Sequence, residues 1–143
     1  MSKLGLAGLR LGLLAGAPAW IRELDKLRLP YNINSLSQAT AAFALDHYEL
    51  FQEQAARIRA DRAALHDALS RFNSLTVWPS EANFLLCRVE RGDARRVAEG
   101  LKQRGILIRV LDGSAPALAG CLRISVGTPE ENAALLAALE ACL

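Results

Sequence analysis

Cys121-Leu122-Arg123-Ile124-Ser125-Val126-Gly127-Thr128-Pro129-Glu130-Glu131-Asn132 passes from a strand to a helix within a few residues, and it sets the reading of the whole chain. Cys121–Val126 is a short apolar run bounded by turn signals, the pattern of a strand. Thr128-Pro129-Glu130-Glu131 is a capping box: the Thr hydroxyl and the Glu carboxylate satisfy amides at the helix start, and Pro occupies a position whose N–H would be unpaired anyway. A Leu- and Ala-rich helix then runs to the end of the chain. Arg123 lies inside the apolar strand, a costly place for a charge unless a carboxylate meets it bidentately.

Working outward, Ile106–Val110 reads as another strand. Ala94–Arg104 reads as a helix capped by Asp93 before it and Gly105 after it. Leu75–Trp78 and Asn83–Val89 are two strands joined through a Pro79-Ser80 turn. From Asp46, Phe51, Ala55, Ile58, Leu65, Leu69 and Phe72 recur at steps of three and four, with Arg62 taking the missing turn. About 25 helical residues at ~1.5 Å each make a rod of roughly 37 Å. Ala55 and Arg62 make a poor coiled-coil seam, so a helix bridging two packed units is the better reading.

Further upstream, Ala39–Leu45 continues a helix capped by Asn34 or Ser35, after an aperiodic loop from Arg28. Leu11–Ala15 is apolar throughout and predicts a buried strand, followed by a Gly16-Ala17 turn and a helix from Pro18 to about Lys26. Strands and helices interleave without strict alternation, so the fold class is α+β, a small sheet covered on one face by helices. Residues 1–45, 46–72 and 73–143 form the expected divisions.

The 143 residues suffice for a buried core without disulfide staples. With 17 Lys and Arg against 15 Asp and Glu, and no basic run, no nucleic-acid partner is expected. The Leu-rich start ending in Ala15-Gly16-Ala17 imitates a secretory signal. Arg10 and the recurrent glycines argue against both that and a membrane span. Cys87, Cys121 and Cys142 form no metal or disulfide pattern, which predicts reduced, mostly buried thiols and a cytoplasmic location. His47 and His66 read as solvated surface residues with no ligand partners in spacing.

Ser2-Lys3-Leu4-Gly5-Leu6-Ala7-Gly8-Leu9-Arg10 resembles the cofactor-lysine segment of fold type I pyridoxal-phosphate aminotransferases. Leu29-Pro30-Tyr31-Asn32-Ile33-Asn34, Pro79-Ser80-Glu81-Ala82-Asn83-Phe84, Gly105–Arg109 and Cys121–Asn132 are similar, in order and spacing, to the histidinol-phosphate aminotransferases. The resemblance implies the end of the large cofactor-binding domain (1–45), a long interdomain helix (46–72) and the whole small C-terminal domain (73–143). It also implies pyridoxal 5'-phosphate as cofactor, amino-acid and 2-oxo-acid substrates, and a homodimer.

By the same resemblance Lys3 holds the cofactor aldehyde and shuttles the substrate proton, Ser2 is a further cofactor-binding residue, and Arg10 binds the cofactor phosphate. Burial of Arg10 among apolar and Gly-rich neighbours is expected. Arg123 would take the α-carboxylate of glutamate or 2-oxoglutarate, and Arg109 the phosphate of histidinol phosphate. Tyr31 and Asn34 would sit at the active-site mouth. Without the resemblance, Lys3 reads as a surface lysine, Arg10 as one half of a salt bridge, Arg109 and Arg123 as edge-strand residues, and Tyr31 and Asn34 as turn formers.

The implied reaction is transamination between histidinol phosphate and 2-oxoglutarate in histidine biosynthesis. A related aminotransferase, a threonine-phosphate decarboxylase, and a non-catalytic truncated domain are the alternatives. The lysine so near Met1 leads us to expect a C-terminal fragment with little activity by itself, because relatives draw the acid on the pyridine nitrogen and the ring over the cofactor from upstream.

Overall fold

Thr128 starts the last helix as its sequence requires. Its hydroxyl accepts from the Glu131 amide at 3.3 Å, and the Glu131 carboxylate accepts from the Thr128 amide at 2.8 Å. Gly127 belongs to the same device, because a Cβ there would lie 2.6 Å from the Glu131 carboxylate. The computed structural model describes residues 1 and 4–143; Ser2 and Lys3, and the roles expected of them, lie outside the described residues.

The elements in order are α1 (Pro18–Asp25), α2 (Ser35–Asp46), α3 (Tyr48–Leu69), β1 (Leu75–Trp78), β2 (Phe84–Val89), α4 (Ala94–Lys102), β3 (Arg109–Val110), β4 (Cys121–Ser125) and α5 (Pro129–Glu140). The strands form one antiparallel sheet in the order β1-β2-β4-β3. The architecture is α+β, as the interleaved pattern predicts.

Residues 1–55 and 56–143 form two units. In the second, pleating sends Leu75, Leu85, Cys87, Val89, Leu122 and Ile124 to one face of the sheet, where they form a cluster with Leu65 and Leu69 of α3, Val97 and Leu101 of α4, and Leu135 and Leu139 of α5. Leu69, Leu85, Leu101, Leu122 and Leu139 are completely buried there. The opposite face carries Trp78, Phe84, Leu86, Arg88, Arg109, Arg123 and Ser125, none of them fully buried.

Several expectations are corrected. Leu11–Ala15 is not a strand: Leu13 is 91% exposed, and no strand pairs with it among the described residues, so its apolar side chains have no sheet to lie in. The β3 strand is two residues long rather than five. Gly105 adopts a left-handed φ of +80°, and the Ile106 amide donates to Leu101 O at 3.0 Å, so the residues before Arg109 close the end of α4 instead of extending the sheet. The long helix begins at Tyr48, after α2 ends on His47 with φ −116°. Its apolar stripe is buried at Leu65 and Leu69, whereas Ile58 is exposed.

Arg62, which interrupts that stripe, is 13% exposed: it donates to Ala82 O at 3.1 Å and pairs with Glu81 at 2.9 Å, fastening the β1–β2 turn. His66 is half-buried rather than solvated, its Nε2 without a partner, and His47 stacks on Phe43 at 4.2 Å. No helix of the described residues is long and apolar enough to cross a membrane.

Candidate active site

The antiparallel register places Arg109 of β3 directly opposite Arg123 of β4, on the face of the sheet away from the helices. Directly opposed side chains have Cβ atoms about 4.5–5.5 Å apart, and like charges so placed repel. Neither guanidinium pairs with a carboxylate among the described residues. Arg62 and Arg95, on the same unit, are each paired with a carboxylate, whereas these two face each other across a strand pairing without one. They line a cleft of about 400 Å³ together with Leu107, Ile108 and Ser125. Two forked donors converging on one cleft suit an anion with several oxygens.

The lower end of the hairpin is held by Asp112. Its carboxylate accepts from the Gly120 amide at 2.9 Å and from Arg95 Nε at 3.0 Å. The Gly120 amide first, and Arg95 second, hold the Asp112 carboxyl below its ordinary range. This clamp fixes the β3–β4 connection and with it the pairing of the two arginines.

The other candidate residues belong to the first unit. Arg10 is exposed, not buried: it follows a 3-10 turn at Ala7–Leu9, and its backbone is left-handed with φ +53°. A Cβ added at Gly5, Gly8 or Gly12 would meet nothing within 4 Å, so the glycine-rich neighbourhood supplies no cover. Arg10 forms no ion pair among the described residues. Tyr31 is wholly exposed with φ +55°. Asn34 caps α2: its Oδ1 accepts from the Ser37 amide at 2.8 Å, and its Nδ2 donates to Ser37 Oγ at 3.1 Å. Thus Arg109 and Arg123 are brought together, whereas Arg10, Tyr31 and Asn34 lie in residues 1–55.

Phe84 was not singled out by sequence, yet its ring lies 5.1 Å from the Arg123 guanidinium carbon. A second such pair, Arg88 over Trp78 at 5.1 Å, lies on the same face, with Arg88 Nη2 also donating to Ala117 O. Alternation counted from Arg123 across the paired strands is the signal that finds both.

The family model for class I and II aminotransferases matches residues 1–139. The chain belongs to this family. Within it, the histidinol-phosphate aminotransferase of Chromobacterium violaceum is 54% identical over 98% of the chain. The chain spans only 39% of that relative's length. Among solved aminotransferase-fold structures, histidinol-phosphate aminotransferase from Sinorhizobium meliloti in complex with pyridoxal-5'-phosphate superposes with a TM-score of 0.81 at 28% identity, over 98% of this chain and 38% of that one. L-threonine-O-3-phosphate decarboxylase from Porphyromonas gingivalis gives 0.83 at 25% identity, over 97% and 43%.

Proposed function

We propose that the protein transfers the amino group between histidinol phosphate and 2-oxoglutarate, using pyridoxal 5'-phosphate. The observation that carries this reading is the unpaired Arg109–Arg123 couple on the open sheet face, in a chain 54% identical to a histidinol-phosphate aminotransferase. A carboxylate and a phosphate are the two anions such a reaction must hold, and guanidinium forks match both. Arg123 would take the α-carboxylate, and Arg109 the phosphate or the distal carboxylate of the second substrate. When bound, the cofactor supplies an electron sink for the substrate α-carbon. Lys3 would hold its aldehyde and move the proton at that carbon, and Ser2 would contribute to cofactor binding.

Arg10 fits the cofactor phosphate by donor chemistry, being an exposed guanidinium on a glycine-bearing segment with no carboxylate of its own among the described residues. Tyr31 and Asn34 flank the substrate entrance in this reading, with Asn34 acting through the cap of α2. Residues 1–45 are then the tail of the cofactor-binding domain, 46–72 the connecting helix and 73–143 the small domain. A homodimer and a cytoplasmic location complete the proposal; the free thiols Cys87, Cys121 and Cys142 support a reducing compartment.

The test is glutamate formation from 2-oxoglutarate with histidinol phosphate as amino donor, in the presence of pyridoxal phosphate, by a protein carrying this chain at the full length of its relatives, since little activity is expected of these 143 residues alone. Arg123→Ala is expected to lower kcat/KM on the order of 100-fold, as loss of a hydrogen bond between charged groups does. The likeness to the threonine-phosphate decarboxylase supports a second reading, because the same two arginines would hold a phosphate and a carboxylate there. Carbon dioxide release from threonine phosphate without glutamate formation would establish that reading and sink the first.

A further inference from the structure

Arg123 must satisfy two demands that conflict. It has to stand still to orient a carboxylate, yet a carboxylate of the protein that fixed it would also neutralise it and occupy its donors. Arg62 and Arg95 illustrate the usual solution, each held by an acidic side chain and a backbone carbonyl. Arg123 is held differently. Its guanidinium carbon lies 5.1 Å from the centre of the Phe84 ring, and its Nε–H is buried with no hydrogen-bond partner among the described residues. A ring face attracts a cation through its quadrupole while taking none of its N–H donors.

The register explains how the contact arises. Phe84 of β2 stands opposite Ser125, and Leu86 stands opposite Arg123, so Phe84 and Arg123 are diagonal neighbours on one face. Diagonal neighbours are within reach of aromatic and long side chains. On the other flank Arg109 faces Arg123 with the same charge. The ring thus holds the guanidinium from the β2 side, and no protein carboxylate among the described residues pairs with its terminal nitrogens.

We infer that Phe84 is a positioning residue for Arg123: its ring holds the guanidinium in the carboxylate-binding pose without neutralising it. The inference rests on the reading of Arg123 as the carboxylate site. Its effect is on anion affinity, and it scales with the electron density of the ring rather than with its volume.

The experiment is titration of the full chain with 2-oxoglutarate at low ionic strength, following the arginine Nε–Hε resonances. The chains compared are wild type, Arg123→Ala, Phe84→Leu, Phe84→Tyr and a series with one, two and three fluorines on the Phe84 ring. In the unliganded wild type the Arg123 Nε–Hε signal is expected upfield, shifted by the ring. Phe84→Leu is expected to lose that shift and to weaken binding about 2- to 30-fold, the range a cation–π contact spans. Phe84→Tyr should restore both.

Successive fluorination keeps the shape of the ring while depleting its face, so affinity should fall stepwise with an unchanged unfolding midpoint. This series decides the matter even if Phe84→Leu fails to fold. If Arg123→Ala abolishes binding while the fluorinated chains bind as the wild type does, the positioning role is overturned and the carboxylate site stands. If Arg123→Ala binds as well as the wild type, the carboxylate site itself is refuted, and the role of Phe84 with it.

Discussion

Residues 11–15 contain no charge, and residues 121–125 contain an arginine, yet it is the second segment that is buried. Leu13 and Leu14 are 91% and 69% exposed, whereas Cys121 and Leu122 are completely enclosed and Ile124 nearly so. The difference lies in the neighbours. The β4 strand has a partner on each side and helices over one face, so its N–H and C=O groups are satisfied while its alternate side chains enter the core. Residues 11–15 have no paired strand among the described residues, and apolar character by itself places nothing inside.

The largest expected effect tests that contrast directly. Leu122→Ala should cost about 2–5 kcal/mol in urea unfolding, the transfer term plus the cavity left under the helices. Leu13→Ala should change stability by no more than about 0.5 kcal/mol. Comparable losses from the two would break the comparison.

A smaller effect sharpens it at the helices that follow each segment. The N-cap of α1 is Ala17, with no side-chain bond, and that of α5 is Thr128, with a complete capping box. Thr128→Ala should destabilise by about 1 kcal/mol, and Ala17→Ser should raise amide protection at the start of α1. An indifferent Thr128→Ala would mean that core packing alone holds α5.

The smallest effect concerns Asp112, at the end of the β3–β4 connection. Its pKa is lowered in the folded chain, first by the Gly120 amide and then by Arg95, so the unfolded state binds the proton more readily. The stability it contributes is therefore present at neutral pH. It is lost as the pH falls below about 4, through the folded value. Asp112→Asn should flatten that part of the acid unfolding profile and leave the neutral-to-alkaline part parallel to wild type.

At the alkaline end, burial first and the neighbouring Cys121 second push the Cys87 thiol up to about 12 from 9.0. The unfolded thiol ionises first there, so stability should decline above about pH 9. Both profiles are read from urea midpoints across pH.

Elements whose chemistry is local were legible from sequence. Thr128 with Glu131, Asp93 before α4 and Pro18 at the start of α1 name their own helix ends, because caps depend on residues within one turn. Short apolar runs next to turn signals identified β2 and β4, and the two arginines that line the cleft had both been singled out through the resemblance. What failed depended on distant partners. The extent of β3 was overread because Ile106 and Ile108 look like strand residues, but the Ile106 amide is taken by the end of α4. Burial of Arg10 was overread because small neighbours were assumed to be packed neighbours. The part of Phe84 went unnoticed because its partner lies about forty residues away, across a strand pairing that no local pattern encodes.

The position of Arg123 in the middle of the sheet has a consequence for the arrangements this chain avoids. A slip of β4 by one residue against β2 and β3 would turn every side chain over, sending Arg123 beneath the helices and Leu122 and Ile124 into water. An uncompensated charge would then be sealed in hydrocarbon, a state far costlier than the lost contacts alone. The same guanidinium that gives the open face its character thus also forbids the nearest misfolded sheet, and replacing it by an apolar residue would remove a guard on register as well as a ligand for anions.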